Sequence, residues 1–249
     1  MNTSNFEKFP EVAIDGFNGY AGWKEIVDEL ANKVSAENKK VVVVECYPGV
    51  DIQPLLQQLK NESYHFIDAA TALKTEQDIA GMVYPFVTDD PVFGYLSPLS
   101  LADFFEQEKL EALASQVSAI ETGAVWIIGT GASLVPVEND LLVYADMPRW
   151  EIQLRFRRGV LGNLGAANKE DEFSYKYKRA FFVDWRVCDR LKMELFASMD
   201  YVLDTTYPDK PKMITGEALL QGLQQVVQRP FRVVPFFDPG PWGGQWLKE

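Results

Sequence analysis

The sequence predicts an α/β fold, a three-layer sandwich built on a mainly parallel β-sheet. Short apolar runs rich in valine, isoleucine and leucine alternate along the chain with segments of helical periodicity. Several of these runs are apolar throughout, which is typical of strands covered by helices on both faces. Sheets of this class bind their ligands at the carboxyl ends of the strands. The segments directly after the predicted strands are therefore the first candidates for a binding site.

The first part of the chain contains one helix and one central strand. A turn-rich, aromatic opening is expected to lie over the surface of the main domain. Apolar residues at helical spacing predict a helix from Trp23 to Val34. Four consecutive valines, 41–44, predict a buried strand. A turn at 47–49 ends this strand, and an apolar helix with leucines between 55 and 59 comes next.

The rest of the chain repeats this alternation. Further strands are predicted at Tyr64 to Asp68, Ala124 to Gly129, Leu141 to Ala145, Tyr201 to Asp204 and Phe231 to Phe237. Further helices are predicted near Thr75 to Val83, from near Ser100, from Pro148, from Ser174 to Met199 and from Gly216 to Val227. Within the long helical run, intrahelical ion pairs are predicted among Asp184, Arg186, Asp189 and Arg190.

Composition excludes several classes of function. A net charge of −12 argues against nucleic-acid binding, which needs a basic face. Two cysteines, no signal peptide and no long apolar run favour a cytoplasmic protein with reduced thiols and no membrane partner. A single histidine, His65, makes a zinc site improbable, and inside an apolar strand it is more typical of a packed core residue than of a catalyst.

Basic residues are concentrated in one window. Residues 1–148 contain eight lysines, no arginine and 23 acids, whereas 149–192 contain eleven basic and six acidic residues. The guanidinium group offers a planar fork of donors that matches phosphate, so the window predicts a phosphate clamp. Its candidate ligands are Arg149, Arg155, Arg157, Arg158, Lys176, Lys178, Arg179 and Arg186. The alternative is a solvated helix face with surface ion pairs.

The turn after the valine strand has the position of a phosphate loop. Its candidate ligand-binding residues are Tyr47, Pro48, Gly49, Val50 and Asp51. If Gly49 is the last glycine of such a loop, Val50 replaces the lysine and Asp51 replaces the hydroxyl residue, so only one landmark remains. A magnesium ion bound with a nucleotide would use Asp51 and Asp146. The pair Asp89 and Asp90 is either a general base with its neighbour or a pair of turn residues, and we favour the turn.

Two segments resemble one branch of the phosphate-loop kinases. TDDPVFGY (88–95) and DLLVYADMPRWEIQLRFRRG (140–159), together with the order of elements over 40–230, resemble the uridine kinases and phosphoribulokinases. The resemblance implies a P-loop nucleoside-kinase-like fold with a degenerate phosphate loop. It also implies that Asp89 is the catalytic aspartate, with Asp90 replacing a histidine, and that Arg155, Arg157 and Arg158 belong to the lid.

A second resemblance covers nearly the whole chain. VVVVECYPGVD, DDPVFGY, YADMPRWEIQLRFRRG, KRAFFVDWRVCDRLK and RPFRVVPFFDPGPWGGQWLKE look like the N-terminal region of large bacterial class I mannose-6-phosphate isomerase-like proteins. The resemblance implies an N-terminal extension and first helix (1–38) packed on a kinase-like domain (39–237). It also implies the start of a cupin isomerase domain (238–249), opened by Trp242-Gly243-Gly244. The zinc-binding remainder of that partner domain would lie beyond this chain.

Three functions are compatible with these residues. The first is a kinase-like domain that binds a nucleotide or phosphosugar without efficient phosphoryl transfer and supports a fused isomerase. The second is an active phosphotransferase in which Asp89 is the base, Asp51 holds magnesium and the arginine helix replaces the missing lysine. The third is a scaffold without a ligand, whose arginines pair with its own acids.

Overall fold

A seven-stranded β-sheet organises the protein, for which a computed structural model describes residues 11–38, 40–59 and 63–229. The strands are β1 (Gly19–Ala21), β2 (Val41–Cys46), β3 (Tyr64–Asp68), β4 (Ala124–Gly129), β5 (Leu141–Asp146), β6 (Tyr201–Asp204) and β7 (Lys212–Thr215). They lie in the order β1-β7-β6-β5-β2-β4-β3. Strands β2 to β6 are parallel, and β1 and β7 are antiparallel to their neighbours.

Helices cover both faces of this sheet. They are α1 (Trp23–Ala36), α2 (Gln53–Gln58), α3 (Glu76–Val87), α4 (Gln107–Ala119), α5 (Arg149–Arg157), α6 (Phe173–Arg179), α7 (Trp185–Leu195) and α8 (Gly216–Gln228). Side chains alternate across a strand, so β2 contributes to two cores. Val42 and Val44 pack with α1 and α2, whereas Val43 packs with α3, α4, α5 and α7. The predicted α/β architecture with a mostly parallel sheet is confirmed.

Three predicted strands have the bounds that the structure gives them, namely β3, β4 and β6. Strand β2 runs two residues beyond the four valines, because the parallel ladder with β5 continues through the pairs Glu45 with Tyr144 and Cys46 with Ala145. Strand β5 includes Asp146, because Asp146 pairs with Asp204 of β6. Strands β1 and β7 were not predicted. Each has only three or four residues, too few to show an alternation of apolar and polar side chains. The two strands also pair with each other although they are far apart in sequence, with Tyr20 opposite Met213. Thus part of the opening stretch joins the sheet, where only a surface covering was expected.

Two helical predictions need correction. The expected run from Ser174 to Met199 is interrupted by one turn of π-helix at Ala180–Asp184, which separates α6 from α7. Near Ser100, a capping box with Asp103 closes only a short 3₁₀ turn, Leu101–Phe104, and α4 begins later, at Gln107.

The strand predicted at 231–237 and the domain start at 238–249 lie outside the described residues. Among the described residues, no helix combines the length and apolarity needed to cross a membrane.

The sheet order defines a crevice at the carboxyl ends of β2 and β5. These strands are parallel neighbours, but the chain leaves β2 toward β4 and β3 and leaves β5 toward β6. Ligands of open α/β sheets bind where successive connections diverge in this way. The segments directly after the two strands, 47–51 and 147–149, therefore flank the expected binding position.

Candidate functional site

The segment directly after β2 is a tight turn. The amide of Val50 donates to the carbonyl oxygen of Tyr47 at 3.1 Å, and Gly49 has a φ of +97°. Proline at the second position and glycine with positive φ at the third are the residues of a type II turn. Pro48 has no amide hydrogen and the amide of Val50 is used inside the turn. The segment therefore does not present the row of free amides that cradles a phosphate.

Asp51 satisfies the start of the helix after this turn. Its Oδ1 accepts a hydrogen bond from the amide of Gln53 at 3.0 Å. A carboxylate of the chain thus takes the position in which a phosphate would meet a helix N-terminus. Helix α2 contains only six residues, so its dipole is small.

Helix α5 contacts the turn through an arginine. Arg155 donates from Nη1 to the carbonyl oxygen of Gly49 at 3.0 Å and from Nε to Glu151 Oε1 at 3.0 Å. Arg158 donates from Nη2 to the same Oε1 at 2.8 Å. Residues 151, 155 and 158 share one helix face because their spacing is four and then three. Burial alone would raise the pKa of Glu151, but the hydrogen bonds from both arginines outweigh it and lower that pKa, so the carboxylate stays charged.

A cavity of about 630 Å³ lies between this helix face and the turn. Its lining residues are Gly49, Val50, Asp51, Glu151, Arg155, Arg158, Val160, Leu161, Thr206, Tyr207 and Pro208. The two arginines and the two carboxylates balance in formal charge. The side chain of Arg155 is 10% exposed and that of Arg158 is 56% exposed. Arg158 is therefore the cation with donors left for a bound anion.

Five of the predicted ligand-binding residues meet at this cavity, namely Gly49, Val50, Asp51, Arg155 and Arg158. Neither Tyr47 nor Pro48 lines it. The side chain of Tyr47 is buried and donates its hydroxyl to Asp189 at 2.8 Å. Burial raises the pKa of Tyr47, so the phenol remains protonated.

Residues 22–228 match the model of a family described as a domain of unknown function, DUF8485. The chain belongs to this DUF8485 family. No curated protein matches it.

Three basic residues of α6 bind backbone carbonyl groups of this DUF8485 domain. Lys176 is fully buried, and its Nζ contacts the carbonyl oxygens of Leu161, at 3.4 Å, and Lys169. The Nζ of Lys178 contacts those of Thr88, at 3.4 Å, and Asp90. Arg179 donates to the carbonyl oxygen of Leu164 at 2.5 Å and to Asp184 at 3.4 Å. These cations, predicted as phosphate ligands, hold loops in place and do not line the cavity.

Three more predicted arginines are also engaged elsewhere. Arg149 pairs with Asp189 and lies 3.4 Å from the hydroxyl of Tyr47. Arg157 stacks on the ring of Phe173 at 3.8 Å from its centroid. Arg186 donates to the carbonyl oxygen of Phe181 at 3.0 Å. Most of the described arginines between 149 and 192 are therefore bound to other groups of the protein.

The predicted intrahelical ion pairs of α7 are wrong. Asp189 pairs with Arg149 on α5, and Asp184 with Arg179 on α6. Arg190 donates to the carbonyl oxygens of Ser97, at 2.6 Å, and Leu99. Asp189 and Arg190 therefore bind partners on distant segments of the chain.

Asp146, predicted as a magnesium ligand, has two protein partners. Its Oδ2 pairs with Lys192 of α7, and its Oδ1 accepts from the amide of Met147 at 3.0 Å. Asp146 lines a second cavity, of about 420 Å³, whereas Asp51 lines the first, and Thr206 borders both. Two engaged carboxylates in separate cavities do not fit a shared magnesium site. Over the described ranges no group of three or more histidine, cysteine or acidic side chains is placed to hold a metal ion.

Sequence reasoning missed the roles of Asp189 and Lys192. They lie three residues apart on α7 and reach the ends of β2 and β5, where Lys192 also lies 5.5 Å from the centroid of the Tyr47 ring. Their helical spacing was the only available signal, because nothing local indicates which distant segment a helix faces.

Glu45 of β2 fills a polar pocket of its own. It is buried and accepts hydrogen bonds from the amides of Gly131, at 2.7 Å, and Ser133, at 2.8 Å, and from the Ser133 hydroxyl at 2.8 Å. Burial raises the pKa of this carboxyl to about 7 in spite of the three donors. The amides directly after β4 therefore bind a carboxyl group of the chain.

Asp89, the candidate catalytic residue, is exposed on a loop and lines neither cavity. Its neighbour Asp90 accepts from the amides of Val92 and Phe93 at 2.7 and 2.6 Å, which lowers the pKa of Asp90. That geometry is the expected turn. The prediction for His65 was wrong, since it is exposed and contacts the carbonyl oxygen of Thr122 at 3.1 Å. Strand β3 is the edge of the sheet, so its side chains are incompletely covered.

Proposed function

We propose that this chain is a kinase-like domain that binds a phosphorylated small molecule, a nucleotide or a phosphosugar, without efficient phosphoryl transfer. The observation that carries the proposal is the cavity in which Gly49 to Asp51 meet Arg155 and Arg158. It adjoins the carboxyl ends of β2 and β5, the position at which α/β sheets bind ligands. The half-exposed guanidinium of Arg158 supplies the donors for the phosphoryl oxygens.

The strand order separates this sheet from two other α/β folds that bind nucleotides. Numbered along the chain, the five parallel strands lie in the order 2-3-1-4-5. Dinucleotide-binding folds have the order 3-2-1-4-5-6, and flavodoxin-like folds have 2-1-3-4-5. The turn after the first parallel strand and the arginine helix after the fourth lie side by side, as the resemblance to uridine kinases implies.

Phosphoryl transfer is a poor fit to the same residues. Catalysis of this reaction depends on cations and amides that neutralise the transferred group. Val50 takes the place of the lysine, and its amide is used within the turn. Asp51 is engaged with Gln53, and Arg155 with Glu151 and Gly49. Binding without turnover is the activity that these groups favour.

The isomerase-like context is a further part of the proposal. A fused or associated cupin partner would carry the aldose–ketose isomerisation, and the present domain would bind a nucleotide or phosphosugar for it. The support is the resemblance to the mannose-6-phosphate isomerase-like proteins, which extends over nearly the whole chain. Its last part, 238–249, lies outside the described residues.

Ligand-dependent stabilisation tests the proposal. Thermal unfolding is measured with ATP, ADP, mannose 6-phosphate and fructose 6-phosphate, because a ligand at a hundredfold its Kd adds about 2.7 kcal/mol to the free energy of unfolding. At least one ligand should stabilise the protein, and a coupled assay should detect no phosphoryl release. Arg158→Ala should abolish the stabilisation. Arg157→Ala is the matched control, since Arg157 belongs to the same helix but stacks on Phe173. A panel without any stabilising ligand would favour the scaffold alternative.

A further inference from the structure

An exposed apolar patch lies at the end of α3, outside both cavities. It consists of Tyr84, Val92, Phe93, Tyr95 and Leu96, whose residues are 61 to 71% exposed. These are five of the fourteen large exposed hydrophobic residues in the described part of the chain. Scattered exposed hydrophobic residues are normal, but a group gathered on one loop and on the helix end that the loop contacts indicates an interaction surface.

The loop that carries the patch is held in one conformation. The amide of Tyr95 donates to the carbonyl oxygen of Phe86 at 2.8 Å, which ties the loop to α3. Lys178 contacts the carbonyl oxygens of Thr88 and Asp90 from beneath. A Cβ at Gly94 would lie 2.4 Å from the oxygen of Phe86, so glycine permits this close packing. Binding of a partner would therefore cost little conformational entropy in this loop.

The surroundings of the patch are acidic. Residues 75–108 contain seven acidic residues and no basic residue. Asp89 and Asp90 are exposed at the edge of the patch, and hydrogen bonds from the amides of Phe93 and Val92 lower the pKa of Asp90. The nearby ammonium group of Lys178 is buried and faces carbonyl oxygens. The surface therefore combines apolar side chains with ionised carboxylates at one edge.

We propose that this patch binds a basic segment of a partner protein that also carries large apolar side chains. Charge complementarity argues against other occupants. A symmetric contact with a second copy would place Asp89 and Asp90 near their own counterparts, where like charges repel. A membrane surface with anionic lipids would repel the same carboxylates. The area involved is on the order of 500 Å² on this side, which corresponds to a transient interface with a short segment.

Synthetic peptides test the chemistry of the partner. Fluorescence anisotropy is measured for the full chain with a labelled 15-residue peptide of lysine, leucine and tryptophan. One comparison peptide has glutamate in place of lysine, and another has serine in place of the apolar residues. The basic apolar peptide should bind at least tenfold more tightly than either comparison peptide. Its affinity should fall at high salt. Equal binding of the acidic peptide, or no binding of any peptide, would overturn the proposal.

Variants locate the binding surface. The double variant Phe93→Ser with Tyr95→Ser should weaken binding at least tenfold, and Asp89→Asn should weaken it about threefold. The control for the double variant is Val227→Ser combined with Met193→Ser, and the control for Asp89→Asn is Asp209→Asn. All three control positions are exposed and lie elsewhere, so both control proteins should bind like the original protein. Melting temperatures verify folding. Equal losses in Asp89→Asn and Asp209→Asn would assign the binding to overall negative charge, and equal losses in the two serine double variants would place the apolar contact outside the patch; either result would overturn the proposal. Self-association that the double variant abolishes would assign the patch to a second copy.

Discussion

Arg155 donates a hydrogen bond to the carbonyl oxygen of Gly49 at 3.0 Å, across 106 residues of sequence. The guanidinium group therefore reaches the turn after β2, as a phosphate clamp requires, but it binds the backbone of that turn. The carboxylate of Glu151 occupies its Nε. This one contact links the two predicted parts of the site and assigns Arg155 to their assembly. Arg158 is left to meet a ligand.

Arg155→Ala should destabilise the protein strongly. The substitution leaves the carbonyl of Gly49 and part of the Glu151 carboxylate without a partner in a buried place, which costs about 3 kcal/mol. Arg157→Ala should cost less than about 1 kcal/mol, because it removes only a contact with the ring of Phe173. Urea unfolding of both variants measures the difference. An unchanged midpoint for Arg155→Ala would show that Arg155 is available to a ligand.

Gly49→Ala should also lower stability. Gly49 has a φ of +97°, and an added Cβ would lie 3.0 Å from Leu161 and 3.2 Å from Ile152. Strain and crowding together should cost about 1 to 3 kcal/mol. Gly81→Ala is the control, because that helical site is open and alanine should gain about 0.5 to 1 kcal/mol. Opposite shifts of the two melting temperatures are expected, and a stabilised Gly49→Ala would contradict the turn.

Val50→Lys should not create a phosphate loop. The amide of Val50 is hydrogen-bonded to the carbonyl oxygen of Tyr47, and Pro48 has no amide hydrogen. A lysine at position 50 would therefore add charge without the free amides that orient a nucleotide. The affinity for ADP, measured by isothermal titration calorimetry, should rise less than about threefold, as for one added surface charge. A gain of tenfold or more, with new ATP hydrolysis, would show that the segment can open into a cradle.

Glu45 should make stability depend on pH. Its pKa is raised from 4.5 to about 7, so the stability contributed by the protonated carboxyl is fully present below pH 4.5 and is lost as the pH rises through 7. Between these limits the loss should reach about 3 kcal/mol relative to Glu45→Gln, which stays neutral. Urea unfolding of both proteins at pH 5, 6, 7 and 8 measures this difference. A difference that is constant with pH would mean that Glu45 titrates normally.

Several elements could be predicted because their signals are local. The valines of β2 and the apolar run of β4 specify buried strands wherever they occur in a sheet. Likewise, Pro48 and Gly49 predicted a turn. The hydrogen bond from the amide of Val50 to the carbonyl oxygen of Tyr47 closes that turn in the structure. Strands β1 and β7 could not be predicted, because three or four residues carry no period and their pairing joins positions about 190 residues apart.

The site was predictable only in part. The position of Arg155 and Arg158 beside Gly49 agrees with the rule that ligands bind at strand ends. The same rule did not reveal that Lys176 and Lys178 hold loops, or that Asp189 and Lys192 of α7 reach the ends of β2 and β5. Such partners depend on how distant segments pack.

The sequence by itself determined the alternation of strands and helices, the turn after β2 and the concentration of cations in one window. These properties arise from hydrophobic periodicity, backbone preferences and composition, each of which acts within a few residues. The tertiary structure decided which cation meets which oxygen. A long basic side chain binds whatever acceptor the packed backbone places within about 3 Å, and that acceptor can lie anywhere along the chain.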